Sequence, residues 1–273
     1  MFRVGSGDYV AEPGGARGRD VHQSDSLQCN KSRSGDASGL LRVCANMMIW
    51  HNGTNRPAAG GQREEEAMIA YENRLDQDRR WALREGSMHF EKESSVYKSL
   101  LKIAKRLDTL SVPYALVGGM AMFLHGYRRF TEDVDILVTR ESLKTIHERL
   151  EGLGYLPPFT GSKNLRDTEH GVRIEFLIAG GYPGDGLPKP VSFPDPETVA
   201  TELDGVRVVK LPTLIELKLA SGTAPGRRKD LGDVQELIRF LQLPESLVDQ
   251  LDPSVRASYL ELWRELKAAS PEE

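Results

Sequence analysis

The chain has 273 residues, 39% of them hydrophobic, with 36 basic against 40 acidic side chains and a formal charge of -4. That length allows one or two domains, and that apolar share fills a core in part of the chain rather than throughout. So even a balance excludes a global field that attracts polyanions, so an RNA partner must use a local patch. No stretch has the unbroken apolar run of a secretory signal or a membrane span, which points to a cytoplasmic location and no membrane partner.

Residues before about Arg63 are crowded with Gly, Ser, Asn, Asp and Arg, as in Gly5-Ser6-Gly7 and Ser32-Arg33-Ser34-Gly35, with hardly any periodic apolar pattern. Such a segment cannot bury enough surface to offset its chain entropy, and a disordered leader is expected. Met47, Met48, Met68 and Met88 are each candidates for the true start of translation. Cys29 and Cys44 both fall in the leader, too few and too misplaced for a disulfide framework or a zinc site. Glu64 to Glu85 reads as a solvated charged helix or a linker.

Val96, Leu100, Ile103, Leu107 and Leu110 recur at steps of three and four, predicting an amphipathic helix. The apolar run Tyr114-Ala115-Leu116-Val117 predicts a buried strand, Gly118-Gly119 a turn, and Met120 to His125 a short helix. A glycine pair lets a phosphate approach the main chain near a helix N-terminus, although a plain strand-turn-helix connection reads the same way. His125, before Gly126, is better read as a cap on helix carbonyls than as a catalytic base.

Asp133 to Val138 is the next strand. Alternation projects Asp133 and Asp135 from one face while Val134, Ile136 and Val138 face a core. Two adjacent carboxylates repel unless a cation lies between them, and magnesium takes such hard oxygen ligands with substrate phosphates completing its shell. Leu143, Ile146, Leu150 and Leu153 predict a covering helix that ends around Gly154. Val172 to Ile178 predicts a strand with Glu175 as its only acid, either a solvated edge residue or a third carboxylate. Gly180 to Pro196 reads as a long loop suited to acceptor selection, and Val206 to Lys210 as a short strand.

Leu211 to Ser221 predicts a helix with Pro212 in its first turn, where Lys218, among Leu214, Ile215, Leu217 and Leu219, must snorkel or meet a ligand. Gly226 to Asp233 opens another helix. Arg227, Arg228 and Lys229 read equally as a solvated basic loop or a phosphate grip, and Asp230 and Asp233 as first-turn carboxylates that favour the helix dipole. Leu231, Val234, Ile238 and Leu241 continue that helix. Asp252-Pro253 caps a last one with the stripe Val255, Tyr259, Leu262 and Leu266.

Gly118-Gly119-Met120-Ala121, His125-Gly126, Arg129-Phe130-Thr131 and Asp133-Val134-Asp135 together resemble the DNA polymerase β-like nucleotidyltransferases. The closest resemblance is to the small branch that includes the abortive-infection AbiEii/AbiGii-type toxins. Lys218 and the pattern Arg227, Lys229, Asp230 and Asp233 have counterparts there. No Lys-Ser or Lys-Thr follows the glycines, so this is not a Walker A loop.

The resemblance implies an α/β (α+β) nucleotidyltransferase fold: a small mixed sheet flanked by helices, a helical C-terminal subdomain and a disordered leader. The corresponding divisions are 1–87 (leader), 88–200 (catalytic core) and 201–273 (helical subdomain). It implies Asp133, Asp135 and Glu175 as catalytic residues and ligands of two Mg2+ ions, with Asp the commoner third acid. Gly118, Gly119, Arg129, Thr131, Lys218, Arg227 and Lys229 would hold a nucleoside triphosphate such as ATP. The implied activity moves a nucleoside monophosphate to a hydroxyl of RNA, such as tRNA, or of a protein, in a toxin-like role with a cognate antitoxin as partner. A small antibiotic-type acceptor and a non-catalytic nucleotide-binding relative are the alternatives.

Overall fold

Seven strands, β1 (Tyr114–Val117), β2 (Asp133–Val138), β3 (Tyr155–Leu156), β4 (Leu165–Asp167), β5 (Arg173–Ile178), β6 (Ala200–Leu203) and β7 (Val206–Val209), form one sheet among the described residues in the order β3-β4-β5-β2-β1-β7-β6. A computed structural model of the chain describes residues 71–269, so the leader before residue 71, with Cys29, Cys44, Met47, Met48 and Met68, lies outside the described residues. These residues fall within one compact unit.

Residues 71–77 are helical, and α1 (Arg79–Phe90) follows with Asp78 as its cap. Sequence places 71–87 in the leader, yet this stretch packs onto the core. Tyr71 is buried against the edge of Trp81, and the buried Glu85 carboxylate accepts from the backbone N–H and hydroxyl of Ser95. Its apolar anchors are too widely spaced among charges to show as a stripe. α2 (Ser95–Thr109) starts at Ser94, whose hydroxyl accepts from Tyr97 N–H, and buries the predicted Val96, Leu100, Ile103 and Leu107.

β1 (Tyr114–Val117) is buried throughout and leads directly into α3 (Gly118–Leu124). β2 (Asp133–Val138) lies antiparallel to β1, with Val117 opposite Asp135, and parallel to β5 (Arg173–Ile178). Both show the predicted alternation: Val134, Ile136, Ile174 and Phe176 are buried, while Asp133, Asp135, Arg173 and Glu175 are partly open. α2 packs on β2 and β7, and α4 (Arg140–Leu150) on β5. The chain leaves α4 at Glu151, whose backbone is extended, so Leu153 is not on the helix stripe as predicted but stands 66% exposed.

β3 (Tyr155–Leu156) and β4 (Leu165–Asp167) extend the sheet beyond β5. After a short α5 (Pro196–Val199), the hairpin of β6 (Ala200–Leu203) and β7 (Val206–Val209) joins the other edge through β1. Residues 201–209 therefore complete the sheet, and the helical part proper begins at α6 (Leu211–Gly222). α6 is buried almost all round. α7 (Arg228–Leu241) packs on it, and α8 (Pro253–Ala269), whose first turn is closed by the Asp252 carboxylate accepting from Ser254 N–H, packs on both. The architecture is a mixed α/β sheet flanked by helices with a helical C-terminal part. Among the described residues no helix is long and apolar enough to cross a membrane.

Candidate active site

Register builds the centre. On the parallel β2–β5 pair, Asp133 stands beside Arg173 and Asp135 beside Glu175, all on the face away from the core. The first rung pairs opposite charges and the second pairs like charges, which destabilises a sheet unless something offsets it. Burial, then the charges of Asp133 and Glu175, push the Asp135 carboxyl up to about 7, although Lys218 and Arg173 pull the other way. Such a centre is short of positive charge.

Asp135 is hemmed in from the other side by the glycines. Because Val117 pairs with Asp135, the next residue passes directly over that carboxylate. A Cβ on Gly118 would lie 1.9 Å from Asp135 Oδ2, and the φ of +65° is itself one that side chains resist. Gly119 makes room in the same way for Thr131, whose Oγ1 would be 2.7 Å from a Cβ there. Thr131, buried, donates to Asp133 Oδ1 at 2.9 Å and so orients the first carboxylate. The glycine pair thus fits the chain around the acids as well as exposing backbone to the cleft.

The opposite wall comes from α6 and α7. Lys218, 7% exposed, reaches Asp233 Oδ2 at 2.6 Å and Asp230 Oδ1 at 3.3 Å. Arg129 reaches Asp233 Oδ1 at 2.5 Å, and Arg227 Nε donates to Asp230 Oδ2 at 2.9 Å, where the Ser221 hydroxyl also donates. Burial tends to raise Asp230, but Lys218, the Ser221 hydroxyl and Arg227 together hold it below the usual carboxylate range. Asp233 lies beyond the first turn of α7, so ion pairing rather than the helix dipole accounts for it. Lys218 is thus neither snorkelling nor bare.

A cleft of about 380 Å³ separates the walls. Gly118, Gly119, Arg129, Thr131, Asp133, Asp135, Glu175, Lys218, Arg227 and Lys229 all line it, as do Pro183, Gly184 and Phe193 from the long loop. His125 does not; its Nε2–H donates to Val209 O at 2.8 Å, and burial holds its pKa below the ordinary value. Arg173, to which the sequence analysis gave no role, donates to Asp133 Oδ2 at 3.2 Å and lies 3.0 Å from Glu175 Oε1. Its alternation with Glu175 on one strand was the available signal.

Among the described residues, no three His, Cys, Asp or Glu side chains are already gathered as a metal cage. The donor set nevertheless suits a hard divalent cation. Asp133 and Asp135 offer oxygen ligands side by side, the centre has more negative than positive charge, and one or two carboxylates plus phosphates are what magnesium takes. Glu175 would join them on release from Arg173.

No family profile matches the chain, and no curated protein sequence matches it. Among solved structures it is similar to the antibiotic-resistance factor ANT(2'')-Ia in solution, at 16% identity and a TM-score of 0.40 over 62% of this chain and 94% of that one. It is similar to ANT(2'')-Ia in complex with adenylyl-2''-tobramycin at 15% identity and 0.41, over 60% and 96%. It is also similar to an antigenic nucleotidyltransferase-like protein from Paracoccidioides brasiliensis at 16% identity and 0.37, over 64% and 88%.

Proposed function

We propose that this cleft transfers a nucleoside monophosphate from a nucleoside triphosphate to an acceptor hydroxyl. One observation carries the reading: Asp133, Asp135 and Glu175, from two strands, face one cleft whose rim is the Gly118-Gly119 backbone and whose far wall is basic. In the transfer, an acceptor oxygen bonds to the α-phosphorus as the bond to the bridging oxygen breaks, and pyrophosphate leaves with the negative charge. The hydroxyl proton passes to the carboxylate cluster.

Asp133 and Asp135, joined by Glu175, would hold Mg2+, which when bound supplies Lewis-acid stabilisation of charge on phosphate and acceptor oxygens. Lys218, Arg227, Arg129 and Lys229 would neutralise the triphosphate, and the backbone of Gly118 and Gly119 with Thr131 would position it. Pro183, Gly184 and Phe193 bring the long loop to the lining of the cleft, and on this reading the loop would select the acceptor. The acceptor in this reading is an RNA such as tRNA, or a protein, and the role is toxin-like with an antitoxin as partner. The test is incubation of the pure protein with each labelled triphosphate, magnesium and total RNA and protein extracts. Label on one macromolecular fraction is the expected result; no transfer from any triphosphate overturns the reading.

A further inference from the structure

The sheet face that carries the carboxylates also carries a cation of the chain's own. We propose that Arg173 is a resident counter-ion, holding Asp133 and Glu175 until a divalent cation enters, and that Glu72 is the berth to which its guanidinium then withdraws. The proposal rests on the metal-assisted reading above and adds how the metal is admitted.

Three observations converge. Arg173 spans the two rungs, Nη2 donating to Asp133 Oδ2 at 3.2 Å and Nε lying 3.0 Å from Glu175 Oε1, so it occupies two of the three acids a cation would use. Glu72, on the helical segment 71–77, is fixed beside it: Arg166 Nη2 donates to Glu72 Oε2 at 2.9 Å, and Arg166 Nη1 donates to Gly171 O at 2.6 Å. Glu72 Oε1 and Arg173 Nε are both buried without a hydrogen-bond partner, and they lie 3.7 Å apart. A buried carboxylate oxygen lacking a donor is costly, and the donor nearest to it on Arg173 needs only a small swing to reach it.

The Arg173 side chain is 40% exposed, so it has room to move, and a guanidinium never loses its charge. Glu175 cannot serve Arg173 and a metal ion fully at once. Until the exchange, Arg173 offsets part of the charge of Asp133 and Glu175 and so weakens binding of the bare ion. A cation that arrives with a triphosphate brings its own phosphate ligands and is favoured over one that arrives alone.

The test titrates the full-length wild type, Arg173→Gln, Arg173→Lys, Glu72→Gln and the double variant E72Q/R173Q with Mn2+ alone. Free Mn2+ is followed by electron paramagnetic resonance at about pH 8.5, where carboxylates are largely ionised. Arg173→Gln is expected to bind Mn2+ roughly tenfold or more tighter, since a like charge beside the ion is gone. Arg173→Lys, which keeps the charge but not the fork, falls between it and the wild type. Glu72→Gln weakens binding about threefold by removing the berth, and the double variant matches Arg173→Gln, because Glu72 acts only through the arginine.

Unchanged or weaker binding in Arg173→Gln overturns the proposal, as does a Glu72→Gln effect that persists without the arginine. If Arg173→Gln does not fold, Arg173→Lys decides by binding tighter than the wild type or not. Nucleotide transfer by the wild type without these changes in Mn2+ binding defeats the counter-ion and leaves the transferase standing. No Mn2+ bound by any of the five proteins, together with no transfer, defeats both.

Discussion

The two walls of the cleft handle charge in opposite ways. The strand wall sets three carboxylates, Asp133, Asp135 and Glu175, against one guanidinium, Arg173. The helix wall sets three cations, Lys218, Arg129 and Arg227, against two carboxylates, Asp230 and Asp233. The first is short of positive charge, as Asp135 shows by its readiness to hold a proton; the second is well neutralised, as the lowered Asp230 shows. A cleft so divided suits a ligand that is itself divided, a cation beside a polyanion. On the proposed reading the metal would lie on the strands and the phosphates on the helices.

The largest expected effect comes from removing the strand wall's charge. Asp135→Asn is expected to lower transfer from a labelled triphosphate by about a thousandfold or more, because on the proposed reading it removes a carboxylate that would hold the metal. Its circular dichroism spectrum should match the wild type, since the amide keeps the shape and relieves a like-charge rung. Transfer at the wild-type rate would remove the distinction between the walls.

Gly118→Ala attacks the same wall by shape. The added methyl would sit 1.9 Å from Asp135 Oδ2 on a backbone with φ of +65°, so the carboxylate or the turn must move. Misplacement on this scale costs roughly a hundredfold in rate, and the left-handed backbone about 1–2 kcal/mol in stability. Gly119→Ala, on a helical backbone, crowds only Thr131, and a smaller loss on both scales is expected. Paired measurements of kcat and Tm check this; equal behaviour of the two variants would mean that Asp135 is not what the first glycine serves.

These residues also show how far the sequence can be read. β2 and β5 were legible because each is buried on one face, so period-two alternation declares which side chains share a side; nothing but register then puts Asp135 beside Glu175. The helices at Val96–Leu107 and after Pro253 were legible from their stripes and caps. β3, β4 and β6 were not, being two to four residues long and existing only because a neighbouring strand offers an edge. The pairing of Arg129 with Asp233 spans 104 residues, and that of Glu72 with Arg173 joins a charge-rich helical segment to a strand; neither leaves a local pattern. Lys218 could be marked as a cation in an apolar helix, but its two acid partners could be named only once α7 was seen lying against α6.

The helix wall is sharpened by Asp233→Asn. That change takes a counter-charge from Lys218 and Arg129 at once and leaves Asp230 to hold the lysine. If the cations are kept for a triphosphate, the variant should bind a non-hydrolysable nucleotide about two- to fivefold more tightly while losing about 1–3 kcal/mol of stability. Calorimetry of binding and thermal melting read the two quantities separately. Lost stability with no gain in affinity would make this wall purely structural.

The smallest effect concerns the joints between the walls. His125 Nε2–H donates to Val209 O, tying α3 to the strand end that leads into α6, and His89 Nε2–H donates at 3.0 Å to the backbone oxygen of Arg129, whose side chain crosses to Asp233. Burial holds both imidazoles below their ordinary pKa near 6.5, against the smaller upward pull of those carbonyls and, for His89, of Glu85. The sign follows from where the proton binds: the unfolded chain takes it up first, so stability is whole above about pH 6.5 and drains away as the pH falls through the folded values. Both histidines therefore pull the melting temperature down from about pH 7 to about pH 5, while Asp135, raised by burial, pulls it up over the same range. His125→Gln keeps an N–H for Val209 but cannot be protonated, so relative to the wild type its melting temperature should gain as the pH falls from about 7 to about 5. An unchanged pH slope in that variant would leave the histidine contribution to His89 alone, and the joint at His125 would drop out of the comparison.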